Sequence, residues 1–181
     1  MQPKKHQKMV NKKYALVFDA VLASSNNEWC STNKLDKRCW TGNLEGIGEL
    51  KGIKYSVCAS RYPYLDIQSL TKEDAAKIQY AEVWRHIKGD ALPTPIAIAV
   101  LHFAIESSTK TSISILQRSV GINVTGIIDS NTIEAAQKKD ALVSFLAARA
   151  MFYSSLSSHS KDGEERMRLL FNLYEQCLKH S

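Results

Sequence analysis

The chain has 181 residues, 44% of them apolar and 23% charged, which suffices for one packed domain and excludes a disordered or low-complexity class. No uninterrupted apolar run approaches the roughly 18–20 residues that a membrane span needs. The formal charge of +6 suits an acidic partner, whether nucleic acid, anionic lipid or a cell-wall polymer.

Residues 1–13 read as a basic tail. Lys4, Lys5, Lys8, Lys12 and Lys13 all precede the first acid, Asp19, and a solvated tail explains them as well as a partner does. The run YALVFDAVLAS after this tail imitates a secretion signal. Asp19 interrupts its apolar centre, so no clear signal peptide is present and the segment reads as a retained helix. Its apolar groups, Tyr14, Val17, Phe18, Val21 and Leu22, recur at helical spacing over residues 10–25. Residues 26–66 have no sustained period. Gly42, Gly46, Gly48, Gly52 and Pro63 predict loops with at most a small hairpin.

Thr71 opens the next predicted helix with the capping pattern T-K-E-D, and Gly89 closes it. The most apolar stretch, PTPIAIAVLHFAIESS (93–108), starts with prolines, as helices can, and reads as the central buried helix. TSISILQRSVG predicts a helix that stops at Gly121, and Asp129 or Ser130 caps a short one through Gln137. Residues 140–156 and 162–178 are amphipathic, with SSLSSHSKDG as the loop between them. The class is mainly α with a small loop or β-hairpin subregion in the first third. Residues 14–92 form one lobe and residues 93–181 a second helical lobe, within a single compact unit.

Chemistry-bearing motifs are few. Cys30 and Cys39 flank the polar loop STNKLDKR and could close it as a disulfide in an oxidising compartment. Cys177 reads as a small core residue. With no CxxC or HxxxH, no metal site and no cofactor are expected. Ser25 lacks a G-x-S-x-G elbow, and the lone helical histidines His86 and His102 read as structural. Nucleic acid is disfavoured as a partner, because no helix-turn-helix or aromatic-basic face accompanies the basic tail. Trp29, Trp40 and Tyr55 either line a sugar groove or form the core of the loop region.

Three stretches, LTKEDAAKIQYAEVW (70–84), ALPTPIAIAVLHFAIESS (91–108) and SISILQRSVGINVTGIIDSNTIEAA (112–136), carry a resemblance in their order and spacing. The chain resembles glycoside hydrolase family 108 over roughly residues 14–156. These are lysozyme-like N-acetylmuramidases that include phage endolysins and secretion-activating proteins, and the carboxyl half resembles the peptidoglycan-binding region that accompanies them. Val83-Trp84, Leu92-Pro93, Leu116-Gln117, Val124, Gly126 and Thr132 stand where that family has its landmarks.

The resemblance implies a lysozyme-like fold and a peptidoglycan or related glycan partner. It also implies a catalytic Glu-Gly-Gly at the end of the first helix. This sequence departs there: the glutamate falls on Ser25 and the glycines on Asn26 and Asn27. A serine hydroxyl is far too weak an acid to protonate a glycosidic oxygen. Glu49 stands at the family's downstream threonine, and His102 and Glu106 replace an Asp and an Asn on the central helix, where i, i+4 spacing lets them pair.

Three functional readings remain open. A peptidoglycan-directed protein of muramidase ancestry, with a degenerate or relocated site, is the first. An active muramidase cleaving the β-1,4 bond is the second; Glu28 beside Trp29 would be its acid and Glu49 or Glu45 the partner carboxylate. The third is a non-enzymatic protein- or glycan-binding module. Asn26, Asn27, Trp29, Trp84, His102 and Glu106 are the expected substrate-contacting residues. Synthesis in the cytoplasm with delivery to the periplasm or cell exterior fits the first two.

Overall fold

The structure is a computed structural model that describes residues 11–25, 31–156 and 159–181, with side chains in the last segment from residue 162 onward. The basic tail up to residue 10 lies outside the described residues, as do Asn26, Asn27, Glu28, Trp29 and Cys30.

Helix α1, Lys12–Ser25, forms where the apolar spacing places it, and Tyr14, Val17, Phe18, Val21 and Leu22 are all buried. Each such side chain contributes roughly 1.5–3 kcal/mol on burial. Asn11 caps the helix by accepting the Tyr14 amide at 2.7 Å, and its side-chain amide donates to Asp90.

Residues 31–66 are loops held by short ladders. A single 3-10 turn, Lys37–Cys39, is capped by Asp36. The hairpin pairs β1, Ile53–Lys54, with β2, Val57–Cys58, in antiparallel register Ile53↔Cys58 and Lys54↔Val57. Its two turn residues, Tyr55 and Ser56, both adopt left-handed backbone (φ 49° and 63°), the twist that a two-residue hairpin demands. Bridges Ser31↔Ile53 and Trp40↔Leu50 tie the rest of the loop to this hairpin.

Helix α2, Lys72–Gln79, is capped by Thr71 as its T-K-E-D pattern predicts. It then widens into one π turn, Tyr80–Trp84, closed by the Arg85 amide donating to the Tyr80 carbonyl at 3.2 Å. The uniform helix expected up to Gly89 is thus interrupted. Buried positions Ala75, Gln79, Val83 and Ile87 recur at strict four-residue intervals. Four residues overshoot a full α-helical turn by about 40°, so one wide turn returns them to a common face. A second 3-10 turn, Gly89–Ala91, follows.

Helix α3, Thr94–Glu106, is buried continuously from Ile96 to Ala104 and forms the axis of the molecule. Around it pack α1, α4 (Thr109–Ser119), α6 (Ala141–Ser154) and α7 (His159–Leu178), while short α5 (Ser130–Ala135) follows α4. Helix α7 starts three residues earlier than its amphipathic pattern suggests, shortening the preceding loop. It lies against α1, α3 and α6 and buries Leu170, Leu173 and Cys177. The fold is mainly helical with one small hairpin in the first third. Among the described residues, no helix is long and apolar enough to cross a membrane.

Candidate functional site

The carboxyl end of α3 delivers His102 and Glu106 to the surface of α6, which supplies Arg149 and Tyr153 at the same i, i+4 spacing. Arg149 is 1% exposed, yet its guanidinium is anchored on several sides. Nη2 donates to Glu106 Oε2 at 2.5 Å and lies 2.8 Å from His102 Nδ1, and Nε donates to the Tyr153 hydroxyl at 2.7 Å. Tyr153 passes its own proton toward Glu106 Oε2 at 2.6 Å. The guanidinium carbon lies 4.7 Å from the Phe103 ring centroid and 5.3 Å from that of Tyr153. The expected His102–Glu106 pair is present at 3.8 Å, but Arg149 is the group that binds both.

Charge states follow from these contacts. Burial and the adjacent Arg149 charge push the His102 pKa down to about 3, so the imidazole is neutral and Nδ1 accepts from Arg149. Burial alone would raise the Glu106 pKa, but Arg149, His102 and the Tyr153 hydrogen bond outweigh it and hold the carboxyl below its ordinary value. Glu106 is therefore an ionised carboxylate and not a proton donor. Its side chain stays 26% exposed, and Oε1 has no hydrogen-bond partner among the described residues.

Facing this corner from the loop region is Arg38, half exposed. It binds Asp36 through Nε and Nη2 and lies close enough for the Glu106 charge to support its own. Arg38 also helps hold the Asp36 carboxyl below its usual range against the opposing effect of burial. Nearby, the Tyr62 hydroxyl donates to Glu82 on the π turn at 2.6 Å, with Arg61 3.9 Å from the same oxygen. The loop region and the helical body are tied together at this point.

The other expected site residues lie elsewhere. Ser25 ends α1, and its hydroxyl donates to the Val21 carbonyl at 2.9 Å. Glu49 is 76% exposed with Lys51 at 3.2 Å, and Glu45 is exposed on the same turn. Neither carboxylate occupies the apolar surroundings that a glycosidase acid needs. Trp84 is 1% exposed, packed 5.1 Å from Tyr14 and against Gly89, where an added Cβ would meet its ring at 2.4 Å. It presents no free face to a sugar. Glu28, Trp29, Asn26 and Asn27 lie outside the described residues, as does the Cys30 half of the expected disulfide. Among the described residues, no three His, Cys, Asp or Glu side chains gather as metal ligands do.

Residues 26–107 match the model of the family described as Glycosyl hydrolase 108. This segment is similar to glycosyl hydrolase family 108. The matched stretch runs from the loop region through α2 and the whole of α3, so it contains Asp36, Arg38, Glu82, His102 and Glu106. It begins just after Ser25. No curated protein matches the chain. Among solved structures, that described as "Structure of Brucella abortus SagA" superposes with a TM-score of 0.71 at 20% identity, covering 93% of this chain and 95% of the other. At that identity the likeness is one of fold, and it extends through α4–α7, beyond the glycosyl hydrolase 108 segment. Arg149 and Tyr153 lie outside the matched family segment. Their signal in the sequence is one arginine in the otherwise apolar run ALVSFLAARAMFY, followed four residues later by a tyrosine.

Proposed function

We propose that this is a peptidoglycan-directed, lysozyme-like protein whose glycosidase site lacks the original proton donor. The glycosyl hydrolase 108 segment supports the glycan-directed part, and the resemblance of the carboxyl half to a peptidoglycan-binding region supports the wall polymer as the glycan. Ser25 is the observation that carries the loss. The resemblance puts the acid at this helix end, and the Ser25 hydroxyl donates to the Val21 carbonyl of its own helix. Cleavage needs a protonated carboxyl beside the leaving oxygen together with a second carboxylate. Glu106 and Asp36 are held ionised, so neither is that acid. Action on the wall would require delivery to the periplasm or cell exterior.

A second reading has a specific observation in its favour. The family match begins at Asn26, so it includes Glu28 and leaves Ser25 out. On this reading Glu28 is the acid and Glu49 its partner in an active N-acetylmuramidase. Incubation with purified sacculi separates the two readings through pelleting and released reducing ends. The expected result is co-sedimentation with no reducing ends above background. Reducing ends from the wild type, abolished by Glu28→Gln at unchanged melting temperature, would establish the second reading instead.

A further inference from the structure

We infer that Glu106 is a glycan-gripping carboxylate: Arg149 and Tyr153 hold one oxygen while the other, open to solvent, accepts a hydrogen bond from an amino sugar. The inference rests on the glycan-directed reading above and names the residue that would hold the ligand. Three features support it. The grip on Glu106 is one-sided, because both the Arg149 and Tyr153 bonds converge on Oε2 and leave Oε1 free. A guanidinium serving only to neutralise a carboxylate commonly meets both oxygens with two nitrogens. Here Nη2 serves both His102 and Glu106, while Nη1 is buried without a partner among the described residues. Finally, Glu106 ends α3 with 26% of its side chain exposed, close enough to the half-exposed Arg38 of the loop region to support its charge.

An ionised, immobilised carboxylate is a strong acceptor for hydroxyl or acetamido N–H donors and costs no reorganisation when the sugar arrives. Arg149 and Tyr153 are then positioning residues. The charged and titratable groups facing Glu106 are His102 on its own helix, Arg149 and Tyr153 from α6, and Arg38 from the loop. Arg166 of α7 lies behind Tyr153.

Calorimetric titration of the full chain with a linear β-1,4 tetramer of N-acetylglucosamine, alongside sacculus pelleting, tests this. Glu106→Gln is expected to weaken both by about tenfold or more, the scale of one charge-assisted hydrogen bond. Because that substitution would leave Arg149 buried without its counter-charge, Tyr153→Phe is the second variant, and it keeps both charges. It should weaken binding several-fold and move the acid-side loss of binding to higher pH, since the carboxylate loses a bond that favours its charged form. A β-1,4 glucose tetramer separates the donors: equal affinity assigns the contact to a hydroxyl, weaker affinity to the acetamido group. Sacculus binding that survives unchanged in folded Glu106→Gln and Tyr153→Phe overturns this inference alone. Absence of any binding by the wild type overturns the glycan-directed reading with it.

Discussion

Arg149 is the side chain on which the interior polarity of this protein turns. Burying a guanidinium costs several kcal/mol of solvation, and an isolated one would not be tolerated. Here the ion pair with Glu106, the bond to the Tyr153 hydroxyl, the neutral His102 acceptor and two aromatic faces offset that cost. The arrangement makes stability pH-dependent in a definite direction. Between its unfolded pKa of about 6.5 and its folded value of about 3, His102 binds a proton only in the unfolded chain. Unfolding therefore takes up a proton in that window, and stability declines as pH falls. Below about 4.3, protonation of Glu106 in the unfolded chain acts in the same direction, because its folded pKa is depressed. Denaturant titrations should show stability dropping by up to about 1.4 kcal/mol per pH unit from pH 6.5 to 4.5. His102→Gln should flatten that arm and spare the acid limb; an unchanged slope in the variant would refute the assignment. In the sequence, His102 and Glu106 are visible as a helical pair. Their partners are not, since Arg149 lies 43 residues from Glu106 and 47 from His102, and no local periodicity encodes which face of α6 meets α3.

At the scale of elements, caps and stops carried most of the information. Thr71 and Asp129 each accept the amide three residues on, as their side chains and positions predict, and Ser108, read from the sequence as the end of the central helix, caps α4 in the same way. The π turn after α2 was not legible, because its cause is the four-residue spacing of groups that only the assembled core requires. The early start of α7 has a similar origin. Gly163 lies within the helix, where it costs about 1 kcal/mol relative to alanine, but it is buried, so packing overrides propensity. One element depends on a single side chain. Buried Gln117 of α4 accepts the amides of Thr125 and Gly126 through Oε1, and its Nε2 donates to Thr125 Oγ1, the Ile127 carbonyl and Thr132 Oγ1. This clamp shapes the loop between α4 and α5. Gln117→Ala should cost about 2–4 kcal/mol in chemical denaturation, since buried backbone groups lose their partners. Hydrogen exchange should accelerate first at Thr125 and Gly126; protection that persists there would show that the loop holds itself.

Over the whole molecule, α3 is an apolar axis enclosed by α1, α4, α6 and α7, so the carboxyl-terminal helix completes the core that the amino-terminal helix begins. Removing residues 157–181 would strip the cover from α1 and α3 and expose the surfaces under Leu170, Leu173 and Cys177. That loss exceeds the few kcal/mol by which domains are stable. The truncated chain should therefore lack a cooperative thermal transition, as followed by calorimetry; a sharp melt would mean that residues 1–156 form a self-sufficient core. Local sequence determined where most helices begin and end, and that residues 31–66 are loop with a small hairpin. These follow from side-chain spacing, capping chemistry and glycine placement, which act within one or two turns. Tertiary structure decided that Trp84 is core and no sugar platform, that Glu49 faces water, and that Glu106 is an ionised carboxylate with one oxygen open. Burial and charge partners set those properties, and both come from segments far away along the chain.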